Sequence, residues 1–362
     1  MAEALLSTSA PVVKADGRTR GELARDLLWL EVEEDVAGLK RLAARFIAAG
    51  GSSDPAAGRI PYLDGDALDF GTPLEVSLGP PGTERTIFSG AVSALDASFE
   101  EAAAPDVGVW AEDALMSLRM TRRSRTYERS SDADVARAIA SEHGLSAQVA
   151  ADGPTYDVVQ QFDESDLAFL RDRARYVRAE LYVRGSTLHF ETRANRSAAA
   201  VTLVQGNQLL SVQVRADLAH QRTRVRVAGY DAQARDRIEE EAGDDAVRAE
   251  VSGGRTGPQV LERAFGRRDT VRVRQAPLTG PEASAWARGE MLRRARTFVT
   301  VVATTNGTPD MEVGSIATLQ RVGAPFEGGG YYVTKVRHTY DLVDGHRTHF
   351  EAERATLNEA SG

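Results

Sequence analysis

VVQQFDESDLAFLRDRARYVRAELYVRGSTLHF, residues 158–190, sets a strand, a helix and a hairpin in close succession. Val158, Gln160 and Phe162 alternate as in a short strand. Asp163 and Ser165 then offer side-chain oxygens to the free N–H groups that open a helix. Leu167, Leu170, Ala174 and Val177 line up as one apolar stripe among Arg and Asp. A hairpin turning at Gly185-Ser186 follows, since glycine tolerates the positive φ of a two-residue loop. That register sets Val183 opposite Leu188 and Leu181 opposite Phe190 on one face, with Tyr182 and His189 on the other. The helix stripe and the hairpin face each lack a partner, so they are expected to bury against one another.

Working outward, Ser131-Asp132 caps a second helix carrying Val135, Ala136 and Ile139, with Gly144 at its C-terminal cap. Residues 119–193 thus alternate strands with two helices, a compact α/β module. Val107 to Arg129 reads as strand and crosses a basic patch, Arg119, Arg122, Arg123 and Arg125, expected to decorate a strand face. Residues 1–20 read as a loose arm. Leu27–Val32, Leu68–Leu78 and Thr86–Phe99 read as strands, with a turn-rich segment from Pro55 to Gly65. In Gly38–Ala48, Leu39, Leu42 and Phe46 fit a helix while Leu42, Ala44 and Phe46 fit a strand, and the closeness of Gly50 and Gly51 favours the strand. Beyond Asn195, strands are expected at Val201–Leu203, Leu209–Val214 and Thr223–Tyr230. Asp231–Asp245 is acidic without a consistent apolar face and reads as a solvated helix or loop. Arg248–Gly280 reads as a strand-and-loop insertion. Pro281 opens a helix whose packing face is Ala285, Trp286, Gly289 and Leu292. Phe298–Thr304, Ile316–Val322, Tyr331–Tyr340 and Thr348–Arg354 close the chain as strands.

One internal echo stands out. Leu68-Asp69-Phe70-Gly71 precedes a strand, a Gly/Pro loop and Phe88-Ser89-Gly90 entering another strand. Met311-Glu312-Val313-Gly314 likewise precedes a strand, a Gly-rich loop and Tyr331-Tyr332-Val333. The repetition implies two β-domains of similar plan.

The 362 residues exceed one ordinary core, and 42% apolar content suffices for several. A net charge of −9 argues against general or sequence-specific nucleic-acid binding. With no cysteine there is no disulfide, thiolate metal site or cysteine nucleophile. No apolar run reaches the roughly 20 residues of a membrane span, and the N-terminus lacks the basic region of a secretory signal, so synthesis in the cytoplasm without membrane insertion is expected. Phosphate-loop, GxSxG and HExxH motifs are missing. A hairpin turning at Asp344-Gly345 would pair Val343 with His346 and Tyr340 with His349, placing His346 and His349 on opposite faces, unable to share a metal. Asp64, Asp66 and Asp69 read as turn residues bonding their own backbone. Trp29, Trp110 and Trp286 read as core anchors. No catalytic, cofactor-binding or metal residue is singled out, and no cofactor is expected.

A family resemblance adds to these readings. Tyr127-Glu128-Arg129, Ser131-Asp132, Val135-Ala136, Ile139-Ala140 and His143-Gly144-Leu145, followed by Gln160, Glu164-Ser165-Asp166-Leu167 and Phe169-Leu170, resemble the phage late control D protein family. So does the ending Gly330-Tyr331-Tyr332-Val333-Thr334, His338, Gly345, Thr348, Phe350-Glu351 and Arg354. Those proteins are baseplate hubs of contractile tails and contractile injection systems, similar to the hub part of VgrG. The resemblance implies an α+β, mainly β fold: two similar tube-type β-barrel domains with an α/β module between them and an insertion in the second. The expected layout is an arm over 1–20, a first β-domain over 21–118 and the module over 119–200. The second β-domain would span 201–230 and 296–357, interrupted by an insertion with one helix over 231–295. It further implies a non-enzymatic homotrimer joining the sixfold inner tube to a threefold spike, within a virion tail or injection particle. Its partners would be an inner tube protein, a separate spike protein and other baseplate components. The spike is expected on another chain because this one stops soon after Arg354. The competing expectations are a particle-associated cell-wall hydrolase and a tube-adaptor protein.

Overall fold

The computed structural model describes residues 10–49, 60–151, 153–231, 234–272 and 279–358. Residues 1–9 of the expected arm, 55–59 of the turn-rich segment, 232–233 of the acidic segment and 273–278 of the insertion lie outside them. In Leu27–Asp35 the two-residue period of a strand turns Leu30 and Val32 inward, each 2% exposed, and Glu31 and Glu33 outward. Arg41–Ile47 buries Leu42, Ala44 and Phe46 in the same way, and Asp106–Glu112 buries Val107, Val109 and Ala111. Together with Arg85–Ser98, Pro73–Leu78 and Val12–Ala15 they surround one buried cluster.

The same plan recurs. Leu209–Ala216, Val299–Thr305, Gly345–Arg354, Gly328–Asp341, Ile316–Gln320 and Ala200–Val204 follow one another in the corresponding spatial order around a second cluster. Even the irregularities match. A bulge between Leu27 and Trp29 has its counterpart between Leu209 and Ser211. Another, between Val92 and Ala94, recurs between Val333 and Lys335. Bulges re-aim a strand at a fixed position and so mark equivalent residues. One difference is visible: Val12–Ala15 pairs antiparallel with its neighbour, Ala200–Val204 parallel.

The two sets form one continuous sheet. Gly328–Asp341 of the second pairs antiparallel with Leu27–Asp35 of the first. Against this sheet lies the α/β module, whose helix Asp166–Val177 and hairpin Ala179–Arg184/Thr187–Thr192 share a third buried cluster, as the stripe and the hairpin face required. The hairpin register is the expected one, Val183 with Leu188 and Leu181 with Phe190. Ser165 caps the helix, accepting from the Ala168 N–H, whereas Asp163 sits at a bulge with φ +46°.

Several expectations need correction. Residues 12–15 are no loose arm: Val13 and Ala15 are buried against Pro73–Leu78. The run from Val107 to Arg129 is interrupted by the helix Leu115–Met120, whose Leu115 N–H donates to the Asp113 carboxylate. Arg224–Asp231 joins the insertion instead of the second β-domain, pairing with Asp236–Ala242 and Asp269–Arg272 over a fourth cluster. The acidic run therefore forms a strand, because Ile238 and Ala242 alternate inward while Glu239 and Glu241 pair with arginines outside. Three described helices occupy the insertion where one was expected: Asp244–Arg248, Gly257–Phe265 and Gly280–Arg296. The last begins in a Thr279/Glu282 capping box; it buries Gly289 and Leu292 of the expected face, and Ala283, Ala287, Met291 and Ala295 beside them.

Candidate assembly interface

The two β-domains meet at the antiparallel ladder between Gly328–Asp341 and Leu27–Asp35. Its register sets Lys335 opposite Asp35, Arg337 opposite Glu33, Thr339 opposite Glu31 and Asp341 opposite Trp29. On the solvent side Lys335 lies 2.9 Å from Glu33 and Arg337 3.6 Å from Glu31. Such exposed pairs contribute at most about 1 kcal/mol each and mainly select the register. On the other side Val336, His338 and Tyr340 are buried, and Tyr340 belongs to the cluster of the first domain although its strand belongs to the second. The strand thus seals a neighbouring core with its own side chains.

A buried polar network ties this junction to the module. Arg196, 1% exposed at its side chain, lies 3.0 Å from Glu34 and 3.1 Å from Glu180. Tyr332 donates its hydroxyl to Glu180 at 2.6 Å, and Arg193 bridges Glu180 and Glu353. Burial alone would raise the pKa of Glu34, but Lys40 and Arg196 outweigh it and hold the carboxyl below its ordinary value. Each acid in this chain of contacts is compensated by an arginine or lysine, the condition under which buried charge is tolerated. Sequence reading missed the network because its members are scattered from Glu34 to Glu353.

His338 lies beneath the same sheet. Its Nε2 donates to the Met311 carbonyl at 3.1 Å, and its Nδ1 stands 3.1 Å from both His346 Nε2 and Thr348 Oγ1. Burial, reinforced by His346, lowers its pKa to about 3; burial also lowers that of His346 to about 4. The hairpin here differs from the expected register. Asp341 pairs with Gly345 and Tyr340 with His346, since the Asp341 carboxylate accepts the N–H groups of Val343 and Asp344 and Gly345 takes φ +65°. His346 and His349 still face opposite ways, the latter towards Thr304.

The remaining sequence candidates are spent internally. Arg119 pairs with Glu112, Arg122 with Asp163, Arg123 with Asp166 and Glu142, and Arg125 with Glu142. Asp64 accepts from the Asp66 N–H, as a turn residue would. Trp29 and Trp110 are not core anchors: at 38% and 37% exposure they stand on the outward face, opposite in parity to Leu30 and Val109. Trp286 packs on Tyr176 at 4.9 Å between the insertion and the module. Beside it opens a cleft of about 700 Å³ bounded by Glu180, Arg193, Arg272, Glu290, Arg293 and Glu353, among others. Despite burial, Arg293 and Arg272 lower Glu290 to about 2. Among the described residues no cluster of three or more His, Asp or Glu is placed to hold a metal.

Among the described residues, two of the sheet's single-partnered stretches lie at corresponding ends of its two halves: Leu209–Ala216 is laddered with Val299–Thr305 alone, and beyond Val92 the strand Arg85–Ser98 has a partner on one side alone. Open edges invite pairing with another chain.

No curated protein matches this chain. The 43 kDa tail protein of prophage MuSo2 from Shewanella oneidensis shares 14% identity at a TM-score of 0.67, over 96% of this chain and 98% of that one. The tail protein from Neisseria meningitidis shares 11% identity at a TM-score of 0.65, over 95% and 96%. An E. coli component of the type VI secretion system, described as structurally similar to the T4 bacteriophage tail proteins gp27 and gp5, shares 12% at 0.57, over 94% and 76%. The fold is therefore that of phage tail and secretion-system proteins, as the late control D resemblance implied. A family model described as the Alg8 N-terminal domain matches residues 39–341, and the chain belongs to that family.

Proposed function

We propose that this chain is a structural hub subunit of a contractile tail or contractile injection system. Three copies close into a ring of six β-domains that continues the sixfold inner tube on one side and seats a threefold spike on the other. The observation that carries this reading is the edge-to-edge union of two like β-domains, which leaves the equivalent outer edges, the end of Arg85–Ser98 and Leu209–Ala216, with a partner on one side alone among the described residues. Head-to-tail contacts of that kind generate closed rings when the rotation closes. The solvent-side face of the sheet, with its alternating Lys335, Glu33, Arg337 and Glu31, is the candidate wall of the shared channel. Its partners would be the inner tube protein, a spike protein and neighbouring baseplate components.

A non-enzymatic role is supported by the tail proteins that share the fold and by the arginine partners of Glu290 and Glu353 in the cleft beside Trp286. Peptidoglycan release by the purified chain would overturn it. Electron microscopy of the assembled particle tests the location. Density for this chain is expected between tube and spike, and density elsewhere would refute the assignment.

A further inference from the structure

The matched bulges fix which residues of the two β-domains are equivalent. Val92, Ala94, Leu95, Asp96, Ala97 and Ser98 face Ala111 to Asp106 as Val333, Lys335, Val336, Arg337, His338 and Thr339 face Ala352 to Arg347. At the other edge, Trp29, Leu30, Glu31, Val32 and Glu33 face Arg45 to Arg41 as Ser211, Val212, Gln213, Val214 and Arg215 face Thr304 to Thr300. One equivalent pair of edges, Gly328–Asp341 with Leu27–Asp35, is already joined inside the chain. The other, the end of Arg85–Ser98 and Leu209–Ala216, is open.

Burial shows what the open pair lacks. Leu30 and Val32 are 2% exposed beneath the joined strand, whereas their counterparts Val212 and Val214 are only half-buried. Val336, His338 and Tyr340 are buried, yet Leu95 and Ala97 are half-buried and Phe99, the counterpart of Tyr340, is 61% exposed. Arg337 faces Glu33 at the closed junction. Their counterparts are Asp96 and Arg215, both exposed, so the charge complementarity survives with its sign reversed.

We infer that copies of this chain join by repeating the internal junction: Ser93–Ser98 of one copy pairs antiparallel with Leu209–Ala216 of the next. Asp96 then lies opposite Arg215, Ser98 lies opposite Gln213, and Phe99 seals the neighbour's second core as Tyr340 seals the first. This rests on the ring reading above and specifies its contact.

The chain has no cysteine, so introduced thiols report the register without background. In the full-length protein, Ser98→Cys with Gln213→Cys is expected to form disulfides between copies on oxidation. Ser98→Cys with Arg215→Cys, two residues out of register, is expected to form few, because a disulfide needs Cα atoms closer than about 7 Å. Phe99→Asp, at a position exposed in the single chain, should weaken association about tenfold or more. Asp96→Arg should weaken it several-fold, and Arg215→Asp in the same chain should restore it. Light scattering on the unaltered protein separates the two levels of the argument. A multimer whose disulfides favour the offset pair, or whose association ignores Phe99→Asp, overturns the register and leaves the ring standing. A monomer at every concentration overturns both.

Discussion

Gly71 and Gly314 occupy the same place in the two β-domains. Each has left-handed backbone, with φ of +79° and +97°, and each donates its N–H to a valine carbonyl, Val92 at 2.8 Å and Val333 at 2.9 Å. Those valines donate back to Thr72 and Ser315 at 3.0 and 2.9 Å. Thr72 and Ser315 in turn accept, through their hydroxyls, the N–H groups of Asp69 and Glu312 at 3.0 and 3.1 Å. The echo heard in the sequence is therefore a repeated hydrogen-bonded corner.

The two glycines differ in surroundings, which gives a graded prediction. A Cβ on Gly71 would meet nothing within 4 Å, whereas one on Gly314 would stand 2.7 Å from Arg196 Nε. Gly71→Ala should lose about 1–2 kcal/mol, the cost of holding an L-residue left-handed. Gly314→Ala should lose distinctly more, because it also displaces a buried guanidinium. Urea unfolding of both variants measures the difference; equal losses would show that Arg196 yields freely.

Arg196 itself is expected to matter more than any surface ion pair. Arg196→Met leaves Glu34 and Glu180 buried beside one another with fewer cations, and should destabilise the fold by about 3–5 kcal/mol. Lys335→Ala, which removes a half-exposed pair with Glu33, should cost under about 1 kcal/mol. Paired denaturation curves check this contrast, and similar losses would mean that the network is not what welds module to sheet.

His338 and His346 give a pH dependence of definite sign. Their folded-state pKa values, about 3 and about 4, lie below the ordinary histidine value of 6.5, so the unfolded chain binds more protons between these limits. Their contribution to stability is fully present above about pH 6.5 and is lost as pH falls towards 4 and then 3. Lys40 and His349 push His338 the same way. His338→Gln should flatten the acid side of the stability profile measured by denaturation from pH 7 to pH 4. An unchanged slope would place the acid sensitivity elsewhere.

Much of this was legible where order is local. The stripe Leu167, Leu170, Ala174 and Val177 and the hairpin at Gly185 follow from periods of 3.6 and 2, and both form as read. Non-local contacts were not legible. Nothing near Gly328–Asp341 announces that its partner lies at Leu27–Asp35, and nothing near Arg196 announces Glu34. The hairpin at 341–345 was misread because the Asp341 side chain, not only the Asp344-Gly345 pair, chooses the loop. Trp29 and Trp110 were misread because size was weighed above parity in the strand. The acidic segment shows no apolar face over Asp231–Asp245 as a whole, and only Ile238 and Ala242, four residues apart within the shorter Asp236–Ala242, give the strand its buried side.

The central claim is that two like β-domains in one chain let a few copies complete a ring. Light scattering of the purified full-length protein, over a range of concentrations, tests it most directly. The account predicts a particle of three times the 39.1 kDa chain mass. A species that stays at 39.1 kDa at every concentration would contradict it.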